Sequence, residues 1–223
     1  MKKCQLCSKL SFGLNKLFSL LGLVVDCSRL DKMTRFKDSR IPDINSAAPS
    51  CACEKYSMSY FSPGVINDNE LLALFIFLPI FHISKKNGNV KPNAFSHVHH
   101  RGRSIQRHDI ATNNELGVFV DSFLTQDTER IWEGVLLANS SDIKAIKFPN
   151  SNNRTACVYD TAREKNFAHA EIGQSQYVIN EEDRNELRSE LLTAFNKGVL
   201  TNPASYKNGA IWNSLTSEQR SRQ

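Results

Sequence analysis

The sequence predicts an α+β fold, a compact domain built from five or six short strands and three helices. Apolar residues recur at helical spacing at positions 187, 191, 192 and 195. Thr112-Asn-Asn-Glu115 has the spacing of a helix-capping box. Elsewhere after residue 95, short apolar or alternating stretches are separated by loops rich in Asn and Ser, which is typical of short strands. Helical and strand patterns mixed in one chain favour this class.

The chain has room for one sizeable domain preceded by an arm, because it has 223 residues, of which 40% are hydrophobic and 23% charged. Residues 30–60 contain Ser, Asp, Ala and Pro in the proportions of a linker. We therefore predict a flexible N-terminal secretion or targeting arm and linker over residues 1–54. The folded domain is predicted over residues 55–223.

Charge patterning bears on the partners of the chain. The net charge of +5 favours anionic partners such as nucleotides or acidic membrane surfaces. Lys and Arg form no long run with interleaved aromatic residues, so nucleic-acid binding is not expected. The arm has no acidic residue before Asp26 and an apolar run from Leu17 to Val25. This pattern leaves open a secretory signal, a targeting peptide or an uncleaved export leader, and it allows membrane contact.

Five of the six cysteines lie in the first 53 residues. Cys4-x-x-Cys7 and Cys51-x-Cys53 resemble halves of a zinc site, but the pairs lie far apart in the sequence and no second Cys-x-x-Cys pair follows. The sequence therefore predicts free or lipid-modified thiols and no metal site.

The elements follow in order along the domain. The apolar run Leu71 to Leu78 follows a capping sequence and is predicted to be a buried helix ended by Pro79. Alternation from Phe95 to His100 predicts a short strand. The capping box predicts a helix from Thr112 to about Leu124. Further strands are predicted over residues 131–138, 143–148, 155–159, 166–172 and 176–179.

The last predicted helix begins at Asn180 and is stopped by Gly198. The tail after Pro203 is polar apart from Ile211 and Trp212, so it is predicted to be loosely packed.

The stretch from Phe95 to Ile110 is the first place to seek function, because it contains four histidines and three arginines around one glycine. A glycine between Arg101 and Arg103 lets the backbone approach a ligand, and guanidinium groups grip phosphate or carboxylate oxygens in pairs. Acidic or cysteine residues near the histidines are few, so a satisfied or solvent-exposed histidine cluster is preferred to a metal site.

Three segments in chain order carry a resemblance. They are His-Arg101-Gly, Ser140-Ser141 and His169-Ala-Glu171-Ile. This order resembles the mono-ADP-ribosyltransferase family, which uses an Arg-Gly strand, a Ser-containing strand and a Glu strand around NAD. The resemblance implies a compact ADP-ribosyltransferase-like domain with NAD as substrate. It implies that Arg101, Arg103 and Ser141 bind NAD and that Glu171 stabilises the oxocarbenium-like transition state.

Within that family the chain is most similar to the HopF/EspJ group of bacterial type III effectors, which pair an arginine with an aspartate. In that case Asp183 or Asp160 competes with Glu171 for the catalytic role. The resemblance implies a secreted protein that acts inside a host cell on a host protein, with a signalling kinase as one target class. A secretion chaperone is a further implied partner.

Two other function classes stay open at this point. Cys51 or Cys53, then His169, then Asn180 or Asp183 occur in the chain order of papain-like proteases and deamidases. A non-catalytic adaptor that binds a host protein or a membrane through the arm is the third alternative.

Overall fold

The computed structural model describes residues 5–21, 51–78, 83–84, 86–100, 102–127 and 129–221. Five strands form one antiparallel sheet in the order β3-β1-β2-β5-β4. The strands are β1 (Leu71–Leu78), β2 (Arg103–Arg107), β3 (Ile131–Asn139), β4 (Ala156–Asp160) and β5 (His169–Gln174). Together with the helices, this sheet confirms the predicted α+β class.

Six α-helices are present among the described residues. They are α1 (Gln5–Leu20), α2 (Asn113–Gln126), α3 (Ser140–Lys144), α4 (Glu181–Ala194), α5 (Ala210–Ser214) and α6 (Ser217–Ser221). Short 3-10 segments cover Ala52–Lys55, Pro92–His99, Asn196–Gly198 and Tyr206–Gly209. None of the helices that the structure describes is both long and apolar enough to cross a bilayer.

Both faces of the sheet are covered. One face carries Leu72 and Leu74 of β1 and packs against α4 and the 3-10 segment Pro92–His99. The opposite face carries Phe75 and Phe77 and packs against α2 and α5. A strand buried on both faces has no polar positions to alternate with, which explains the unbroken apolar sequence of β1.

The helix predicted over Leu71 to Leu78 was wrong, because this segment is strand β1. A run in which every residue is apolar carries neither a helical nor a strand period. Phe75-Ile76-Phe77 supplies aromatic and β-branched side chains that favour a strand, and β3 pairs with β1 along its whole length.

Four other local predictions also failed. The strand predicted from Phe95 is instead the 3-10 segment that begins at Pro92, whose fixed φ suits a first helical position. The predicted strand over residues 143–148 does not form: Ile143 and Lys144 belong to α3, and Lys147 makes an isolated bridge to Arg154. Residues 176–179 contain no strand. The tail is well packed, since Tyr206 and Ile211 are buried against β1 and α2.

The remaining predicted helices and strands are confirmed. Thr112 caps α2 through a reciprocal capping box with Glu115, as the spacing predicted. The strands predicted over residues 131–138, 155–159 and 166–172 correspond to β3, β4 and β5. Helix α4 begins after Asn180 and buries Leu187 and Leu191.

The cysteine prediction was wrong for the cysteines that the structure places. Cys51 and Cys157 form a disulfide, and Cys53 is also disulfide-bonded. The disulfide attaches the chain around residue 51 to β4, where Glu54 accepts a hydrogen bond from the backbone N–H of Val158 and pairs with Arg154. Residues 51–54 are therefore packed against the sheet.

Helix α1 touches the same segment. The backbone N–H of Ser57 donates to the Ser11 hydroxyl at 3.3 Å, and the rings of Phe12 and Tyr60 meet edge to face. Part of the predicted arm thus lies against the domain.

Candidate functional site

Four polar side chains share one face of the central strands. Ser104 lies opposite Glu171, and Gln106 lies opposite His169, in the ladder between β2 and β5. Directly opposed residues of an antiparallel pair project to the same face. Apart from Ser104, these residues are buried. We refer to Ser104, Gln106, His169 and Glu171 as the polar quartet.

His169 is held by hydrogen bonds to both ring nitrogens. Its Nδ1 lies 3.1 Å from the carbonyl oxygen of Thr161 and 2.9 Å from the Thr161 hydroxyl. A carbonyl oxygen only accepts, so Nδ1 carries the proton when it bonds there. Nε2, which lies 3.3 Å from the Ser104 hydroxyl, is then a hydrogen-bond acceptor. The arrangement orients the imidazole towards Ser104.

Glu171 places a carboxylate within the sheet. The residue is 1% exposed, and its Oε1 lies 3.8 Å from the guanidinium of Arg163, whose side chain is largely exposed. The carboxylate therefore lies below a cation at the surface. A buried carboxylate in this position can stabilise a positive charge that develops on a ligand nearby.

A cavity opens beside the quartet because β1 and β2 separate. The two strands pair only at Leu72 with Arg107 and at Ala73 with Gln106, whereas β1 continues along β3 to Leu78. The resulting space has a volume of about 240 Å³. It is lined by Ala73, Phe75, Phe77 and Leu78 of β1, Arg103, Ser104, Ile105 and Gln106 of β2, Phe119 and Phe123 of α2, and Arg130.

Arg103 is the predicted cofactor-binding residue that this cavity contains. Gly102 precedes it with a φ of 72°, a conformation that favours glycine, and so turns the chain into β2. Burial lowers the pKa of the Arg103 guanidinium to about 10, so the group is still protonated at neutral pH. In the ladder Arg103 lies opposite Ile172, the residue after Glu171.

The predicted site residues do not all meet. Arg103 and Glu171 lie on paired strands, one position apart. Arg101 lies outside the described residues. Ser141 belongs to α3 and follows the end of β3 that pairs with Leu71, two strands away from β2 and at the opposite end from Arg103.

Asp183 has a structural position. Its carboxylate accepts from the backbone N–H groups of Ile179 and Asn180, and its own N–H donates to the Asn180 side chain, which completes a capping box for α4. Helix α4 packs on the face of the sheet opposite the polar quartet. The structure therefore does not bring Asp183 together with Glu171.

Asp160 belongs to a buried charge network on that same opposite side. Arg107 donates to both carboxylate oxygens of Glu70 at 2.7 and 2.8 Å and lies 3.6 Å from Asp160. Ser57 donates to Asp160 at 2.7 Å. Burial raises the pKa of Asp160, while Arg107 and the hydroxyl bonds act against that rise. This network ties the segment before β1 to β2 and β4.

The cysteine alternative finds little support in this arrangement. Cys51 and Cys53 are oxidised, and a disulfide sulfur offers no thiolate for attack. The hydroxyl that His169 contacts belongs to Ser104.

Ser104, Gln106 and Thr161 were not among the site residues predicted from the sequence. Ser104 and Gln106 alternate with larger side chains within Arg103–Arg107, so a strand assignment there would have placed both on one face. The contact between Thr161 and His169 depends on the loop between β4 and β5, for which the sequence carries no comparable signal.

No known protein family, curated protein or solved structure matches the chain. Across the described ranges, no group of three or more His, Cys, Asp or Glu side chains converges as metal ligands would.

Proposed function

We propose that the chain is an ADP-ribosyltransferase-like enzyme that transfers ADP-ribose from NAD to a protein, with Glu171 as the catalytic carboxylate. The observation that carries this proposal is the pairing of β2 with β5, which places the buried Glu171 carboxylate opposite Ser104, a residue that lines a cavity together with Arg103. Arg103, together with Arg101 two positions before it in the sequence, binds the pyrophosphate through guanidinium N–H donors.

The chemistry explains the need for these groups. The bond between ribose C1′ and nicotinamide breaks, and its electron pair leaves with the nicotinamide. The ribose then carries oxocarbenium character, which a fixed carboxylate in a low-dielectric site stabilises. An acceptor side chain of the target protein forms the new bond to C1′ and loses a proton. Ser104 and His169 stand beside Glu171 and supply hydrogen bonds for the ribose.

Two roles implied by the resemblance are reassigned. Asp183 is a helix cap in this proposal, and Ser141 has no part in NAD binding. Glu171 alone is the catalytic carboxylate. The target is a host protein, with a signalling kinase as one class.

Export of the chain is supported by its disulfides, which are typical of proteins that leave a reducing cytosol. Membrane contact is supported by α1, on which Leu10, Leu14 and Leu17 are exposed at helical spacing. The same helix carries Lys9 and Lys16, which favour acidic lipids.

Transfer of labelled ADP-ribose from NAD to proteins of a eukaryotic lysate tests the proposal. The wild type should label a discrete band, Glu171→Gln should lose at least 100-fold of the rate (about 3 kcal/mol of transition-state stabilisation), and Arg103→Met should be strongly impaired. Asp183→Ala is the matched control and should label normally. Absence of label with folded wild type, or full labelling by Glu171→Gln, contradicts the proposal.

A second candidate function rests on the contact between Ser104 and His169. An exposed hydroxyl 3.3 Å from an imidazole whose other nitrogen is fixed has the outline of a serine hydrolase dyad. A fluorophosphonate probe tests it: wild type should be labelled at Ser104, while Ser104→Ala and His169→Ala should not be. Ser141→Ala serves as the serine control. Failure of both labelling experiments favours the non-catalytic adaptor.

A further inference from the structure

The cavity between β1, β2 and α2 contains a buried amide that the protein does not satisfy. Gln106 is 1% exposed, and among the described residues neither its Oε1 nor its Nε2 has a hydrogen-bond partner. Both atoms belong to a residue that lines the cavity. A buried polar group without partners is costly, and native structures contain few of them. A ligand in the cavity would remove that cost.

Arg103 supplies a second, independent observation. It lines the same cavity, and its Nε is enclosed without a hydrogen-bond partner. No carboxylate in the described part of the chain forms an ion pair with it, and burial is the cause of its lowered pKa. The residue is partly buried, and an enclosed guanidinium N–H without a partner is unfavourable. Among the described residues, the cavity lining therefore includes one cation without an ion pair, Arg103, and one amide without hydrogen-bond partners, Gln106.

The remaining wall is aromatic. Phe77 and Phe123 stack with ring centroids 4.9 Å apart, and Phe119 lies 5.0 Å from Phe123. Phe75 meets Phe119 edge to face at 5.3 Å. Aromatic side chains favour a further ring packed flat or edge-on against them. Arg130 covers the outer side of Phe123 and is paired with Asp127, so it adds little free charge.

The volume limits the size of the ligand. The cavity measures about 240 Å³. A dry cavity of about 150 Å³ admits benzene, whereas pockets for drug-sized ligands begin near 300 Å³. The space thus suits one ring with a small substituent, and it is too small for a dinucleotide.

We propose that this cavity binds a small aromatic monocarboxylate. The carboxylate pairs with the Arg103 guanidinium and accepts a hydrogen bond from the Gln106 amide, and the ring packs against Phe77, Phe119 and Phe123. Among the described residues that line the cavity, Arg103 is the one cation without an ion pair, and its charge matches the single negative charge of a carboxylate. A neutral ligand would leave Arg103 uncompensated. This inference does not rest on ADP-ribosyl transfer.

Calorimetric titration of the full chain with benzoate tests the inference. Benzoate should bind saturably with one site per chain, and benzamide, of the same shape without the charge, should bind at least tenfold more weakly. Gln106→Leu and Arg103→Met should each weaken benzoate at least tenfold, because each removes one of the two polar contacts. Gln126→Leu, at the exposed end of α2, is the matched control and should bind as wild type does.

Three results would overturn the inference: no saturable heat with benzoate, equal affinity for benzamide, or unchanged affinity in Gln106→Leu. Melting curves establish that the variants are folded, and Gln106→Leu decides the matter if Arg103→Met does not fold. The titration contains no NAD, so its failure is separate from failure of the transferase assay. Glu171→Gln should lose ADP-ribosyl transfer and keep benzoate binding.

Discussion

Gln106 is buried, and neither its amide oxygen nor its amide nitrogen has a hydrogen-bond partner among the described residues. The side chain therefore opposes folding of the ligand-free chain. Gln106→Leu exchanges the amide for an apolar side chain of similar size and should raise the free energy of unfolding by about 1 kcal/mol. Urea denaturation of the ligand-free proteins measures the change. Gln106→Ala is the comparison variant, because it removes the same polar atoms and leaves a larger cavity, and it should lower stability. A loss of stability in Gln106→Leu would mean that the amide has partners in solution.

His99 makes stability depend on pH. It is buried, its Nδ1 lies 2.8 Å from Gln174 Oε1, and burial lowers its pKa from 6.5 to about 4. The unfolded chain takes up a proton below its ordinary pKa, while folded His99 stays neutral, so stability is lost as the pH falls from 6.5 towards about 4. Arg184 and Arg188 add to this effect by repelling the imidazolium.

His99→Gln cannot take up that proton and still reaches Gln174. Between about pH 7 and about pH 4.5 its free energy of unfolding should fall less than that of wild type. Denaturant unfolding at several pH values measures both slopes. His97→Gln, on the exposed side of the same 3-10 segment, is the control. Parallel curves for wild type and His99→Gln would contradict the assignment.

At the scale of single residues, composition identified the density of cations around Arg103 but could not identify their partners. In the sequence, Asp183 competed with Glu171 for the role of catalytic carboxylate. The structure separates them, since one caps a helix and the other lies within the sheet next to Ser104. What separates them is the pairing of strands, and no local pattern in the sequence contains that information.

At the scale of elements, the capping residues of the two helices could be predicted from the sequence, because each capping box joins residues only three positions apart. Asp183→Ala removes the side chain that accepts from Ile179 and Asn180, and it should lower the free energy of unfolding by about 1 kcal/mol. Thermal unfolding measures the loss, and Thr112→Ala, which breaks the box of α2, should give a loss of similar size. An Asp183→Ala protein as stable as wild type would show that the cap is not formed in solution.

Strand β1 shows why the type of an element was harder to predict from the sequence than a helix cap. Its eight residues are apolar throughout, and only the presence of covering layers on both faces decides that they extend along β3. The element type of Phe95–His100 was equally hard to predict. Its apolar and polar residues alternate as in a strand, but most of it belongs to a 3-10 segment, in which Phe95 and Val98 are buried in the core next to α4. Tertiary packing overrode the local pattern in both cases.

At the scale of the whole molecule, the α+β class followed from the mixture of periodic segments, but the strand order β3-β1-β2-β5-β4 did not. The candidate site depends on that order. It pairs β2 with β5, and β1 pairs with β2 at only two positions before the two strands separate. Long-range pairing of this kind is set by the combined burial of both sheet faces. The cavity was therefore unpredictable, because β1 was predicted to be a helix and no element was predicted over β2.

The Cys51–Cys157 disulfide acts on the whole molecule, because it closes a sequence separation of 106 residues and fixes the chain near Ser57 against β4. A cross-link of this span restricts the unfolded chain, so the double variant Cys51→Ala, Cys157→Ala should lose about 2–4 kcal/mol of stability. Melting temperatures with and without a reductant measure the effect, and reduction of wild type should cost at least as much, since Cys53 is also disulfide-bonded. Ser57 bonds Asp160, which lies beside Arg107, so the loss should extend to the buried charge network rather than stay at the cross-link. Hydrogen exchange at β4 and β2 distinguishes a loss confined to the cross-link from one that extends to the charge network. A double variant with the same melting temperature as wild type would contradict a structural role for the disulfide.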